Sequence, residues 1–101
     1  MARTPEGKVK DAVRRVLNDL DIYYFMPATG GYGRSGVPDF VCCMEGHFLA
    51  IECKAGKNTT TALQQREIEK IRKAKGNAVV VNEEMINALA DTLKKIKEIL
   101  K

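Results

Sequence analysis

No run of apolar residues in this chain approaches the roughly 20 residues needed to cross a lipid bilayer. The first ten residues, MARTPEGKVK, also lack the apolar segment of a secretory signal peptide. We therefore expect a cytoplasmic protein without membrane contacts. Low-complexity tracts, internal repeats and linkers are absent as well, so the 101 residues predict one domain, over residues 1–101, with a single modest core.

Cysteine is scarce, and its placement excludes two kinds of site. Cys42, Cys43 and Cys53 are odd in number, and none of them belongs to a Cys-x-x-Cys pair. This pattern argues against a disulfide framework and against a zinc site. We interpret all three as small buried hydrophobic residues.

Positive charge is in excess. The formal charge is +4 and the isoelectric point is near 9.1, which favours an anionic partner, with nucleic acid the first candidate. A basic surface that is merely solvated would give the same values. Charge alone therefore leaves both interpretations open.

The apolar patterns predict a mixed α/β domain. Helical spacing behind the capping residue Thr4 and Pro5 predicts a first helix, and Glu45-Gly46 is typical of a turn between two strands of a hairpin. Both hairpin strands are almost continuously apolar, which predicts burial of both their faces. In chain order the predicted elements are a helix over about 5–20, strands at 22–26, 37–44 and 47–54, a helix that ends near residue 76, a strand at 78–81, and a final amphipathic helix capped by Asn82.

Three charged residues interrupt the hairpin strands. Because side chains alternate along a strand, Glu52 and Lys54 project from one face, and Asp39 on the paired strand can reach the same place. Two neighbouring carboxylates repel each other unless a cation lies between them. The oxygen donors favour Mg²⁺ or Mn²⁺, and Lys54 could steady an attacking water. An ordinary ion pair on an edge strand is the alternative.

Two further polar residues lie on apolar helix faces. Glu6 precedes Val9 by three residues on the first helix, although an acid in a first turn is also favoured by the helix dipole alone. Gln64 shares the face of Ile68, whereas Gln65 falls nearer its edge. An inward amide that only caps a backbone group is the alternative for Gln64.

A glycine-rich loop precedes Asp39. It contains Tyr32 and Arg34, which predict contacts with a base or sugar and with a phosphate of DNA. We add Lys57 to these candidates for DNA binding. The loop lacks the Gly-Lys-Ser/Thr ending of a Walker P-loop, so a nucleotide-binding P-loop is excluded.

Taken together, these motifs resemble the VRR-NUC domain of the PD-(D/E)XK nuclease superfamily, which occurs alone in bacteriophages and within larger repair enzymes. The segments that carry the resemblance, in chain order, are Glu6 in the first helix, GVPDF with Asp39, IECKAG with Glu52 and Lys54, TALQQREIEKI with its glutamine, and GNAVVV. They span most of the chain. The short chain leads us to expect a viral or mobile-element protein, which would act in the host cytoplasm.

The resemblance implies a restriction-endonuclease-like αβββαβ core and hydrolysis of phosphodiester bonds in DNA with Mg²⁺ or Mn²⁺. It implies that Asp39, Glu52 and the backbone carbonyl of Cys53 bind the metal and that Lys54 acts on the water. Glu6 corresponds to the acid of the first helix that helps to hold the metal. Gln64 corresponds to the helix glutamine, with Gln65 left open.

We expect a structure-selective endonuclease for branched DNA such as four-way (Holliday) junctions. The alternatives are a restriction-like or nicking endonuclease and a non-catalytic DNA-binding subunit with the same fold. We also expect a homodimer, because a small module covers little DNA and two-fold assemblies are common. The apolar seam of the final helix is the candidate contact surface.

Overall fold

The predicted order of elements is confirmed by the computed structural model, which describes residues 3–28 and 35–101. The elements are α1 (Pro5–Asp19), β1 (Tyr23–Phe25), β2 (Phe40–Met44), β3 (His47–Cys53), α2 (Ala62–Lys73), β4 (Asn77–Val81) and α3 (Ile86–Leu100). The chain therefore has the αβββαβ order with an additional helix at its end.

Side-chain caps begin α1 and the short turn that precedes α3. The hydroxyl of Thr4 accepts a hydrogen bond from the Gly7 amide at 3.0 Å and begins α1 as predicted. Asn82 caps a different element from the predicted one: its side chain accepts from the Glu84 amide at 2.9 Å and begins a 3₁₀ turn, Glu83–Met85. That turn leads directly into α3.

The four strands form one sheet in the order β1-β2-β3-β4. The first three strands are antiparallel neighbours, and α2 crosses over so that β4 lies parallel to β3. Glu45 and Gly46 connect β2 to β3, and both have positive φ angles, 48° and 82°, as tight hairpin turns require. The predicted hairpin is therefore confirmed, and its register decides which residues face each other.

The two faces of the sheet are covered unequally. One face packs against α1 and α3 around fully buried side chains such as Val13, Leu17, Phe40 and Ile51. On the other face, α2 covers β3 and β4 through a small cluster that includes Ala50 and Ile68. The part of this second face on β1 and β2 carries exposed apolar side chains, among them Tyr23 and Phe25.

Because α2 covers only part of the sheet, two predictions need correction: that both faces of β2 and β3 are buried, and that all three cysteines are buried. Residues Leu49 to Cys53 of β3 are buried on both faces, as expected, but Cys43 of β2 is exposed because α2 does not reach that strand. Cys42 and Cys53 are buried, and burial raises the pKa of each thiol to about 12. The interpretation of all three cysteines as buried is therefore wrong for Cys43.

None of the helices in the described parts of the chain combines the length and the apolar character needed to span a membrane.

Candidate active site

The hairpin register brings the two strand carboxylates to the same place. Phe40 of β2 pairs with Ile51 of β3, so the next antiparallel positions, Asp39 and Glu52, face each other. Asp39 Oδ2 also accepts a hydrogen bond of 2.8 Å from the backbone amide of Cys53. This bond ties the residue before β2 to the end of β3 and fixes the Asp39 carboxylate beside Glu52.

Glu52 is a buried carboxylate with one satisfied and one unsatisfied oxygen. The residue is 3% exposed, and its Oε2 accepts a hydrogen bond of 2.8 Å from Gln64 Nε2. Lys54 directly follows β3, and its Nζ lies 3.5 Å from the same oxygen. Oε1 is buried and has no hydrogen-bond partner among the residues that the structure describes.

The surroundings of Glu52 disfavour its charged form. The pKa of Glu52 is raised from 4.5 to about 7, first by burial and then by the negative charge of Asp39. Lys54 acts in the opposite direction and lowers the same pKa without cancelling the effect of burial. An added cation beside the carboxylates would relieve both the burial penalty and the repulsion.

Gln64 is held in place by the first turn of α2. Its Oε1 accepts from the backbone amide of Thr61 at 2.9 Å, while the Thr61 hydroxyl accepts from the Gln64 amide at 3.2 Å. This capping box uses the carbonyl oxygen of the side-chain amide and leaves the NH₂ group to donate to Glu52. The cap and the contact with Glu52 thus occur together.

The neighbouring glutamine takes no part in this contact. Gln65 Oε1 accepts from the Thr60 hydroxyl at 3.1 Å, and the residue is exposed. Of the two glutamines that the sequence left open, the structure brings Gln64 to the acid pair.

Lys10 belongs to the same cluster, and the sequence analysis missed it. Its Nζ lies 3.7 Å from Glu6 Oε2 and 3.4 Å from Asp39 Oδ1. Burial alone would lower the pKa of Lys10, but the charges of Asp39 and Glu6 raise it above the ordinary value. The spacing of four residues from Glu6 places both on one helix face and was the available signal.

The chain matches a known protein family over the segment that contains most of this cluster. A family model described as archaeal Holliday junction resolvase (Hjc) matches residues 25–83, more than half of the chain. The chain belongs to this family. The matched segment contains Asp39, Glu52, Lys54 and Gln64, whereas Glu6 and Lys10 precede it.

Solved structures of VRR_NUC domains are similar to this chain in fold. A protein described as a VRR_NUC domain has a TM-score of 0.75 and 26% identity over 88% of this chain and 97% of its own. A second, a VRR_NUC domain protein, has a TM-score of 0.66 and 20% identity over 94% and 89% of the two chains. The resemblance to VRR-NUC nucleases and the restriction-endonuclease-like fold are thus confirmed. No curated protein matches the chain.

The resolvase-family acid pair offers oxygen donors to a metal. Within residues 3–28 and 35–101, no group of three or more His, Cys, Asp or Glu side chains has a suitable arrangement. The buried, unpartnered Oε1 of Glu52 beside Asp39 nevertheless fits a cation that prefers oxygen. The Cys53 side chain is buried in the main core, so a backbone carbonyl is the donor that Cys53 can supply.

Of the predicted DNA-binding residues, the structure describes Lys57. Lys57 is exposed in the segment between β3 and α2. There, both carboxylate oxygens of Glu83 accept hydrogen bonds from the Gly56 amide, at 2.9 and 3.0 Å. Tyr32 and Arg34 lie outside the described residues.

Proposed function

We propose that this resolvase-family nuclease is a metal-dependent endonuclease that cleaves branched DNA, with four-way junctions as its main substrate. One observation carries the proposal: beside Asp39, Glu52 has a buried oxygen that finds no partner among the described residues, and Lys54 lies next to this carboxylate. In an ion pair with only a structural role, a buried oxygen of this kind is expected to have a hydrogen-bond partner. Membership in a family of Holliday junction resolvases supports the choice of substrate.

Mg²⁺ or Mn²⁺ is the proposed cofactor, held by Asp39, Glu52 and the backbone carbonyl of Cys53. Such an ion would polarise the scissile phosphate and make an attacking water more acidic. Glu6 adds a third carboxylate to the negative charge that attracts the ion, since it acts on the pKa of Glu52 across the cluster. Hard carboxylate and carbonyl oxygens are the ligands that these ions prefer.

The protein's own groups supply the remaining functions. Lys54 provides a positive charge beside the acid pair, where it can orient water and offset the charge that develops on the phosphate. Gln64 fixes the rotation of the Glu52 carboxylate, because its hydrogen bond engages Oε2, while Oε1 has no partner in the described parts of the chain. The orientation of the donor atoms is therefore set before a metal arrives.

DNA contacts are assigned to the basic and aromatic residues that the sequence singled out. We propose that Arg34 and Lys57 contact phosphates and that Tyr32 stacks on a base or sugar. The positive net charge of the chain supports an anionic partner of this kind. A four-way junction has two-fold character and requires two cuts, so we further propose that the protein acts as a homodimer with one acid cluster for each cut.

A substrate panel tests the proposed function. Purified protein is given labelled four-way junctions, flaps, splayed arms and plain duplex with Mg²⁺ or Mn²⁺, next to the Glu52→Gln and Glu69→Gln variants. We expect the wild-type protein to cleave the junction best. Glu52→Gln should lower cleavage at least about tenfold in saturating Mn²⁺ and retain binding, because it removes a metal-binding charge at constant volume.

Glu69→Gln is the matched control, since it removes the same charge from an exposed position of α2. It should cleave like the wild-type protein. Preferential cleavage of plain duplex would instead favour a restriction-like or nicking enzyme, and binding of junctions without cleavage would favour a non-catalytic subunit. More than a tenth of wild-type cleavage in Glu52→Gln would contradict the assignment of the acid pair.

A further inference from the structure

Lys10 lies between two carboxylates of the cluster. Its ammonium group is 3.7 Å from Glu6 Oε2 on its own helix and 3.4 Å from Asp39 Oδ1 on the strand side. Asp39 Oδ2, the other oxygen of that carboxylate, is engaged by the Cys53 amide. The Lys10 side chain is only 30% exposed, so the surrounding protein restricts the positions it can take.

The cluster thus has two sides that differ in how their charge is balanced. On the side of Glu6 and Asp39, the ammonium of Lys10 already bridges the two carboxylates. On the side of Asp39 and Glu52, Lys54 lies near Oε2, and Oε1 has no partner within the described parts of the chain. A cation can therefore be added next to Glu52, whereas a cation between Glu6 and Asp39 would have to displace Lys10.

We infer that Lys10 takes the place of a second metal ion and limits the site to one divalent ion per chain. This inference rests on the proposed function, since it concerns the metal site that the nuclease would use. An ammonium can bridge two carboxylates as a point charge, and it raises the local positive charge that a second divalent ion would have to overcome. In the wild-type chain, Glu6 is then a partner of Lys10 and becomes a metal ligand only when that lysine is removed.

Counting bound Mn²⁺ tests the inference without measuring activity. Free Mn²⁺ is followed by electron paramagnetic resonance while the purified chain is titrated. We expect one ion per chain for the wild-type protein and two for Lys10→Met, which keeps most of the side-chain length but removes the charge. The double variant Glu6→Gln/Lys10→Met should return to one ion, because the new site then lacks one of its carboxylates.

Lys8→Met is the matched control, since this exposed lysine lies on the same helix and its replacement changes the net charge equally. It should bind one ion, and circular dichroism should show all variants folded. One ion in both the wild-type protein and Lys10→Met would overturn the inference and leave the proposed function intact. Two ions in the wild-type protein would also overturn it, and no bound ion in the wild-type protein would overturn both.

Discussion

Glu52 joins two conditions that rarely occur together at one residue, burial and an unsatisfied carboxylate oxygen. A protein whose only requirement was stability would neutralise or replace such a group, since its charged form is costly away from water. Here Gln64 and Lys54 satisfy one oxygen, and the other has no hydrogen-bond partner within residues 3–28 and 35–101. The pKa of about 7 shows that this arrangement disfavours the charge in the metal-free protein.

The raised pKa predicts how the metal-free protein responds to pH. Below pH 4.5, Glu52 is protonated in both the folded and the unfolded chain. Between pH 4.5 and 7 the folded chain binds the proton more strongly, so the free energy of unfolding falls as the pH rises. From pH 4.5 to 8, we expect the wild-type protein to lose about 3 kcal/mol relative to Glu52→Gln, which has no carboxyl group to titrate there.

Urea unfolding of both proteins in a metal chelator, at several pH values, measures this difference. The comparison between pH values removes the constant effect of the substitution itself. A difference between the two proteins that stays constant over this range would show that Glu52 titrates normally. Mn²⁺ added at pH 8 should reverse the loss in the wild-type protein, because an ion that binds only the folded chain stabilises it.

At the scale of elements, Gly36 in the described part of the segment before β2 is packed against the beginning of α2. Gly36 has a φ angle of +79°, and a Cβ atom at this position would lie 2.5 Å from the Leu63 carbonyl carbon and 2.9 Å from the Gln64 amide nitrogen. Such distances between a Cβ and backbone atoms are not tolerated. Only glycine therefore allows the segment to approach the turn of α2 that holds Gln64 against Glu52.

Gly36→Ala is expected to lower cleavage by displacing the first turn of α2 and with it Gln64. Gly46→Ala is the matched control: Gly46 also has a positive φ angle, +82°, but a Cβ there meets no atom within 4 Å. Cleavage rates and thermal melting are measured for both variants. We expect the cleavage rate of Gly36→Ala to fall at least about tenfold, as it does when a catalytic group is misplaced. Gly46→Ala should cleave at nearly the wild-type rate.

A double variant separates this effect from general instability. If Gly36 acts through Gln64, then Gly36→Ala/Gln64→Ala should cleave no more slowly than the slower of its two single variants. Gln65→Ala should cleave normally, since Gln65 contacts Thr60 and not the acid pair. Effects of the two single variants that multiply in the double variant would show that Gly36 influences cleavage independently of the glutamine.

At the scale of the whole molecule, α3 uses its apolar seam within its own chain. Leu89 and Leu93 are buried in the main core, and Ile86, Ile96 and Leu100 pack against it. The seam is therefore not the free surface that the sequence suggested for a dimer. Exposed apolar side chains instead lie on the uncovered face of β1, β2 and the beginning of β3. We call this surface the aromatic patch; it consists of the aromatic residues Tyr23, Phe25 and Phe48 together with Cys43.

We expect the aromatic patch to mediate the proposed homodimer, because uncovered apolar surface of this kind is typical of protein contacts. Tyr23→Asp should convert the dimer to a monomer in light scattering and abolish paired cuts in a junction. Tyr23 is 71% exposed, so its replacement leaves the core unchanged. Ile99→Asp is the control on α3, where Ile99 is 80% exposed, and it should remain dimeric.

A mixed dimer tests whether the two acid clusters act on separate strands. One wild-type subunit is combined with one Asp39→Ala subunit, and we expect this preparation to nick one strand of a junction in each binding event. If light scattering shows only a monomer with and without DNA, or the mixed dimer cuts both strands in one event, the proposed arrangement is wrong.

The sequence by itself determined the local features of this protein. Cap residues and apolar periodicity located α1 and the strands, and the spacing of Glu52 and Lys54 placed both on one strand face. These features depend on neighbours only a few residues apart, and helices and strands have fixed periods, so a linear pattern contains them. The turn at Glu45-Gly46 was predictable for the same reason.

Only the tertiary structure decided which distant segments meet. The contacts of Lys10 with Asp39, of Gln64 with Glu52 and of Gly36 with α2 join residues 12 to 29 positions apart. Each depends on the strand register and on how a helix packs against the sheet, and a linear pattern does not specify either. The exposure of Cys43 had the same origin, since apolar residues on a strand do not show where the covering helix ends.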